Sequence, residues 1–301
     1  MDTPVISLVT PVYNQCEFIV ETIESVLSQN IAGLEYIVVD DGSTDEIDRA
    51  VEPYLADIRY IKKSNSGQSS TLNYAWSLCE GEYIGYLSAD DKFSRNDALK
   101  LMVEFADSTG NDIVYPDYRL IDECGNHLRD ITVKEFFKED LVVRLECMIG
   151  PGAIFRKTIF NSGGGWDSSF HQSPDFEFWF RCAEREYLFA RFGESLADYR
   201  VHSGSGMVRP VSGDRADEIL RIVNRSNKLN LNAKQQRTQH ASALLISCRS
   251  HGQSGRGRVC VSRYIKACFL DPGVGFSVTG LRMLIAGLVR VKILRLFRVI
   301  K

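Results

Sequence analysis

The sequence predicts an α/β protein: a mostly parallel sheet flanked by helices on both faces, with a helical, basic C-terminal appendage. Three observations predict it. Short β-branched runs alternate with amphipathic stretches through the first hundred residues, the rhythm of strands joined by right-handed helical crossovers. The strand-like runs are continuously apolar, as strands covered on both faces are. Charge also divides the chain: residues 1–218 carry 20 Lys and Arg against 38 Asp and Glu, whereas residues 219–301 carry 16 Lys and Arg against Asp271 alone. We therefore read a body at 1–218 with net charge −18 and a basic helical region at 219–301 with net charge +15.

The elements follow in order. ISLVTPV reads as a strand, CEFIVETIESVLSQN as a helix, LEYIVVDDGS as a strand and TDEIDRAVEPYL as a helix. IRYIK, SSTLNYAWSLCEG and EYIGYLSADD continue as strand, helix and strand. A helix over 96–106 and a strand over 112–115 precede a hairpin, DYRLIDECGNHLRD, with a Gly-Asn turn. Residues 150–202 mix strand, a glycine turn at Gly163 to Gly165 and a helix from Pro174 to Glu186. From Ile219 the chain is helical, broken by the loop SHGQSGRGR.

Composition narrows the class. With 44% apolar and 25% charged residues the chain has enough apolar side chains to fold around a core. No basic leader opens it, and no run reaches the roughly 18 apolar residues of a membrane span, so a cytoplasmic protein is expected. The eight cysteines form no CxxC pair, which argues against zinc and for buried thiols.

Ligands of parallel sheets bind at the carboxyl ends of the strands. Here those positions are Thr10 to Asn14, Asp40 to Asp45, Asn65 to Gln68 and Ser88 to Asp91, and two of the four are acidic pairs. Up to four carboxylates on one rim repel one another unless a cation or hydrogen-bond donors sit among them. Oxygen ligands suit Mg²⁺ or Mn²⁺, each usually shared with substrate phosphates. In VVDDGSTD, Ser43 or Thr44 is placed to cap the next helix.

The ordered set ISLVTPVYN, IVVDDGSTD, NSGQSSTLNYAWSLCEGEYIGYLSADD, GGGWDSSF, SPDFEFWFR and YRVH resembles glycosyltransferase family 2, inverting enzymes of the GT-A fold that use nucleoside-diphosphate sugars. The resemblance spans roughly residues 4–205. It implies a donor site, most simply for a UDP-sugar, that includes Pro11, Tyr13, Asn14, Asp40, Asp41, Asn65, Gly67, Gln68, Asn73 and Asp90. Tyr13 offers an aromatic face to the base, and a carboxylate at Asp41 accepts the imide N–H of uracil. Leu72 stands before Asn73 where relatives often carry Arg, so no role for an arginine transfers. The resemblance also implies metal contacts at Asp91 and His202 with Mn²⁺ or Mg²⁺, although Ser88 and Ala89 stand where many relatives have a further acid.

By the same resemblance Asp175 is the base that takes the acceptor proton, with Glu177 the runner-up, since Pro174 replaces an acid common at that step. Trp166 and Asp167 are placed on the side of a glycan or lipid-linked acceptor, by stacking and by hydrogen bonding. Arg200 is placed to contact the diphosphate.

Two alternatives compete: a binding or scaffold protein on the same fold, and a sugar nucleotidyltransferase. The second normally carries a glycine-rich basic loop after its first strand, and TPVYNQCEF is not one. Residues 281–301 mix six cations with apolar side chains and no acid, which predicts salt-sensitive binding to an anionic membrane, lost on deleting that segment. Stacking aromatics are sparse there, so nucleic acid is not an expected partner. Together these place the protein in the cytoplasm, peripherally on the inner face of the cytoplasmic membrane.

Overall fold

A computed structural model describes residues 4–202, 211–226 and 229–289. Packing divides the chain into two compact units: Met1–Phe136 with Met148–Trp166 and Glu186–His202, and Phe137–Cys147 with Asp167–Arg185 and Ser203–Lys301.

The first unit is built on β1 (Ile6–Val12), β2 (Leu34–Asp40), β3 (Arg59–Lys62), β4 (Tyr83–Tyr86), β5 (Lys92–Phe93), β6 (Ile113–Ile121), β7 (His127–Ile131), β8 (Ile154–Arg156) and β9 (Phe189–Arg200). These form one sheet in the order β3-β2-β1-β4-β8-β6-β9-β5, with β7 on β6. The first four strands pair in parallel, and β8 joins β4 to β6 in antiparallel fashion. Helices α1 (Ile19–Leu27), α2 (Ile47–Val51), α3 (Gln68–Leu78) and α4 (Ala98–Thr109) connect them, with α6 (Lys157–Gly163) after β8.

Burial explains the element choices. Ile19, Ile23 and Val26 recur at helical spacing in α1 and pack on the buried Ile6, Leu8 and Val38 of the sheet. The α4 helix ends at Gly110, whose φ of 70° is the left-handed conformation that glycine adopts without strain. In-register pairing of Val12 with Asp40 brings the ends of β1 and β2 out side by side.

Several boundaries differ from the sequence reading. The strand expected at 112–115 runs on to Ile121, because β6 pairs along β9 as well as with the β7 hairpin. The hairpin turn is wider than Gly-Asn alone, since the Asp122 carboxylate accepts from the Cys124 and Asn126 amides. The two-residue β5 was not expected. Of the thiols, Cys79, Cys182, Cys248 and Cys260 are buried, but Cys124 and Cys147 are exposed.

The second unit is helical: α5 (Lys138–Val142), α7 (Pro174–Glu184), α8 (Gly213–Ala216), α9 (Glu218–Arg225), α10 (Ala233–Gln253), α11 (Gly257–Leu270), α12 (Pro272–Gly275) and α13 (Val278–Leu288). It gathers segments distant in sequence because buried polar groups tie them. The Glu218 carboxylate accepts from the amides of His171, Gln172 and Ser173, and Gln239 donates to the Val142 carbonyl. Asn232 and Gln235 form a reciprocal cap that starts α10. That helix continues to Gln253, so the expected SHGQSGRGR break shrinks to Ser254–Arg256. Among the described residues no helix is long and apolar enough to cross a membrane.

Candidate functional site

The first unit carries a rim at the carboxyl ends of its parallel strands. Pro11 lies within β1 beside Val39, and Tyr13 follows, 49% exposed. Asn14 has a φ of 52°, held because its amide donates to Ser43 Oγ at 3.0 Å and its Oδ1 accepts the Thr44 amide at 2.8 Å. Ser43 and Thr44 therefore join the β1 and β2 loops. They do not cap α2, whose preceding residue is Glu46.

Asp40 is buried and accepts the Ser43 amide at 2.8 Å. Asp41 Oδ1 accepts from Lys63 Nζ at 2.5 Å and the Ser66 amide at 2.9 Å, while Oδ2 accepts the Gly67 amide at 2.8 Å. Burial pushes the Asp41 pKa up, but these donors and Thr71 outweigh it, holding the carboxyl below its ordinary value. Asp41 thus organises the Asn65–Gln68 loop. Gly67 enters α3 with a φ of 84°, which a side chain would strain.

A second cluster lies at the Asp90–Asp91 turn after β4. Thr22 of α1 donates its hydroxyl to the carbonyls of Ala89 at 2.9 Å and Asp91 at 2.7 Å. Asp91, 3% exposed, accepts the Arg200 amide at 2.9 Å. The Arg200 side chain, 1% exposed, donates to the carbonyls of Asp90, Asp122 and Glu123 and to Glu21, and its guanidinium lies over the Phe18 ring. Its interactions fit an internal brace for the turn. His202 Nε2 sits 2.9 Å from Asp90 Oδ2, with its ring against Phe18.

Burial first, and the neighbouring Asp90 second, raise the Asp91 pKa well above the usual carboxylate range, opposed by the Arg200 amide and charge. A carboxylate so disfavoured gains from a cation. Carboxylate oxygens and an imidazole nitrogen are donor types that Mn²⁺ accepts, and the oxygens are of the type that Mg²⁺ accepts. Among the described residues no group of three His, Cys, Asp or Glu side chains is placed to hold a metal ion.

Asn73 belongs to neither cluster. Its Nδ2 donates to the Trp166 carbonyl at 2.7 Å and its Oδ1 accepts the Trp166 amide at 2.8 Å, clamping the glycine turn to α3. Trp166 is 4% exposed, edge-on to Trp76 and Tyr86. An open ring face for a sugar, expected from the sequence, is not what this packing offers, because the aromatic cluster takes the ring into the core.

Asp167 and Asp175 belong to the second unit. Asp167 accepts the Ser169 amide at 2.8 Å and Arg225 at 3.1 Å; burial raises its pKa, but these partners more than reverse the effect. It borders a cavity of about 210 Å³ lined also by Phe170, Glu177, Arg181 and Arg225. Glu177 is held by both arms of Arg181 at 2.8 and 2.9 Å. Asp175, in the first turn of α7, has its pKa raised by burial against the lowering effect of the Phe176 amide and its own. Of the two acids proposed as base, Asp175 is therefore the one without an ion pair among its described contacts.

The sequence reading missed Thr22, Glu21, Phe18 and Lys63. Only Lys63, directly after a strand and before the NSGQ loop, carried a positional signal. The others act over long range: Thr22 on the Asp90–Asp91 turn, Glu21 on Lys92 and Arg200, and Phe18 on Arg200 and His202.

The family model described as glycosyl transferase family 2 matches residues 7–164. An uncharacterised glycosyltransferase of Rickettsia conorii is 33% identical over 212 residues, covering 67% of this chain and 35% of the relative. A chondroitin synthase of Escherichia coli is 32% identical over 186 residues, covering 60% of this chain and 27% of the relative. The chain thus spans about a third of these two relatives. Among solved structures, Staphylococcus aureus TarS 1–349 in complex with UDP-GlcNAc matches with a TM-score of 0.65 at 17% identity, covering 90% of each chain. The mannosyltransferase PcManGT of Pyrobaculum calidifontis, in complex with GDP-Man and Mn²⁺, matches at 0.62 and 17%, covering 96% of this chain and 87% of that one. At such identity the likeness is one of fold, and the fold is GT-A.

Proposed function

Because the chain belongs to glycosyl transferase family 2, a family of transferase enzymes, we propose that it moves a sugar from a UDP-sugar to a hydroxyl of a glycan or lipid-linked acceptor, inverting the anomeric centre. The braced Asp90–Asp91 turn beside His202 carries this reading. A buried Asp91 beside the partly buried Asp90, in a turn locked by Thr22 and Arg200, is costly to fold, and it suits a site that receives a cation with a diphosphate.

Each residue has a task that its surroundings support. Tyr13 presents an exposed ring to the base. Asp41, kept as a carboxylate by Lys63, Ser66, Gly67 and Thr71, is assigned to accept the uracil imide N–H. Pro11, Asn14, Asp40, Asn65 and Gln68 shape the same donor pocket. Asp91, with Asp90 and His202 beside it, would hold Mn²⁺ or Mg²⁺. When bound there, the ion supplies positive charge for a departing diphosphate. Asp175 takes the acceptor proton as the hydroxyl oxygen bonds to the anomeric carbon and the carbon–phosphate oxygen bond breaks. Asp167 hydrogen-bonds acceptor hydroxyls.

We assign transfer to residues 1–218 and attachment to 219–301, a division of charge and duty that need not coincide with packing. The basic region brings the enzyme to the inner face of the cytoplasmic membrane, where a lipid-linked acceptor resides. The test is a panel of α-linked UDP-sugars with Mn²⁺, followed by proton NMR. Metal-dependent release of UDP with a β-configured sugar product supports the reading. Retention of configuration, or no turnover with any UDP-sugar of the panel, contradicts it.

A further inference from the structure

The second unit exposes apolar side chains where a folded protein usually hides them. Nine of the sixteen large hydrophobic residues exposed among the described residues fall between Val261 and Val289. On α11 they form one stripe, since Val261, Ile265 and Phe269 are four residues apart, while Cys260 and Ala267 are buried against the unit. The α13 helix repeats the pattern, burying Gly280 and Gly287 and exposing Leu281 and Ile285. The burial has a steric cause: a Cβ on Gly252 of α10 would lie 2.4 Å from the Gly287 backbone, so small residues let the helices meet closely. The apolar stripes are left outward.

The corner between α11 and α13 is the most exposed part. Phe269 is 85% exposed and Phe276 is 66% exposed, on either side of α12. Exposed Arg258, Lys266 and Arg282 accompany them. Asp271, the sole acid of residues 219–301, accepts from the Thr238 hydroxyl of α10 at 2.6 Å and from the Val274 amide of its own turn at 3.2 Å. Beyond Val289 the chain continues with five more cations and no acid; residues 290–301 lie outside the described structure.

We propose that this corner is a membrane-docking surface that inserts Phe269 and Phe276 into an anionic phospholipid leaflet, with the surrounding cations at the head groups. The proposal deepens the reading of an enzyme that works at a membrane. Charge selects the occupant. A second copy docked through the same face would bring another region of net charge +15 against the first, whereas anionic lipid attracts it. Apolar side chains rimmed by Lys and Arg bind such an interface by shallow burial plus attraction.

The test uses vesicles of phosphatidylcholine with and without phosphatidylglycerol, and the double variant Phe269→Ser/Phe276→Ser. The wild-type chain should sediment with the phosphatidylglycerol vesicles and be released by salt. The double variant should partition at least about tenfold more weakly, the factor expected from losing partial burial of two phenyl rings. Its circular dichroism and its Mn²⁺-dependent UDP binding should be unchanged. A separate Phe269→Trp variant should shift its emission to the blue on those vesicles and be quenched by brominated lipid. Equal sedimentation of wild type and double variant, or an indole that brominated lipid leaves unquenched in the Phe269→Trp variant, overturns the proposal. So does self-association in sedimentation velocity that the double variant abolishes while vesicle binding persists, which gives the face to a second copy. UDP binding, read in each sample, separates failure of the surface from failure of the transferase reading.

Discussion

Replacing Arg200 by Met separates a brace from a substrate contact. The side chain is buried and donates to the Asp90 carbonyl at 2.8 Å, to Glu123 at 3.1 Å, to Asp122 at 3.4 Å and to Glu21 at 3.0 Å. Losing three bonds to carbonyls costs about 0.5–1.5 kcal/mol each. The Glu21 pair is half exposed and adds less than about 1 kcal/mol. Methionine restores part of the apolar contact with Phe18, so the net loss should be about 2–4 kcal/mol. Urea unfolding should show this as a lower midpoint with an unchanged slope. Because Arg200 also fixes the Asp90–Asp91 turn, Mn²⁺-dependent affinity for UDP should fall alongside stability. A variant with wild-type stability that loses only the diphosphate-dependent part of binding, UDP against uridine, would refute the reasoning and place the guanidinium on the donor.

Asp175→Asn should retain donor binding while kcat falls by roughly 10²–10⁴, the usual effect of losing a general base. In the wild type the acid limb of the pH–rate profile should lie above the ordinary aspartate value, because burial raises the Asp175 pKa. A carboxyl with a raised folded pKa binds more protons in the native state, so its ionisation erodes stability as pH rises through that range; the Asn variant should escape this loss. Pre-steady-state transfer and pH-dependent unfolding check both outcomes. Gly165→Ala should cost about 1–3 kcal/mol in thermal unfolding, since its Cβ would lie 1.9 Å from Asn73 Oδ1 and force the clamp open. Asn73→Ala, which removes the same clamp, should destabilise while leaving UDP affinity within about twofold; a large loss of affinity would return Asn73 to the donor site.

The parallel half of the sheet was legible because its signals are local. Runs such as IVVD and EYIGY are too apolar for a half-exposed strand, and the polar residues after them mark the rim. The roles of single residues there were less legible. Asp41 and Asn73 share the same family pattern, yet one bonds the amides of the NSGQ loop and the other the backbone of Trp166. That difference is made by distant segments meeting, which spacing does not record. The same holds for Arg200, whose carbonyl partners lie about 80 and 110 positions away. The extent of β9 and the two-residue β5 depend on pairing rather than propensity. Segments 137–147 and 167–185 join the second unit through Glu218 and Gln239, polar residues whose periodicity alone gives no reason to bury them.

The central claim is that the Asp90–Asp91–His202 rim holds a metal-dependent nucleotide diphosphate site. Isothermal titration of UDP into the wild-type chain and into Asp91→Asn, each with Mn²⁺ and with EDTA, tests it most directly. The account predicts saturable binding only for the wild type with Mn²⁺, with unfolding midpoints showing that the variant is folded. Equal UDP affinity in EDTA, or in a folded Asp91→Asn protein, would contradict it.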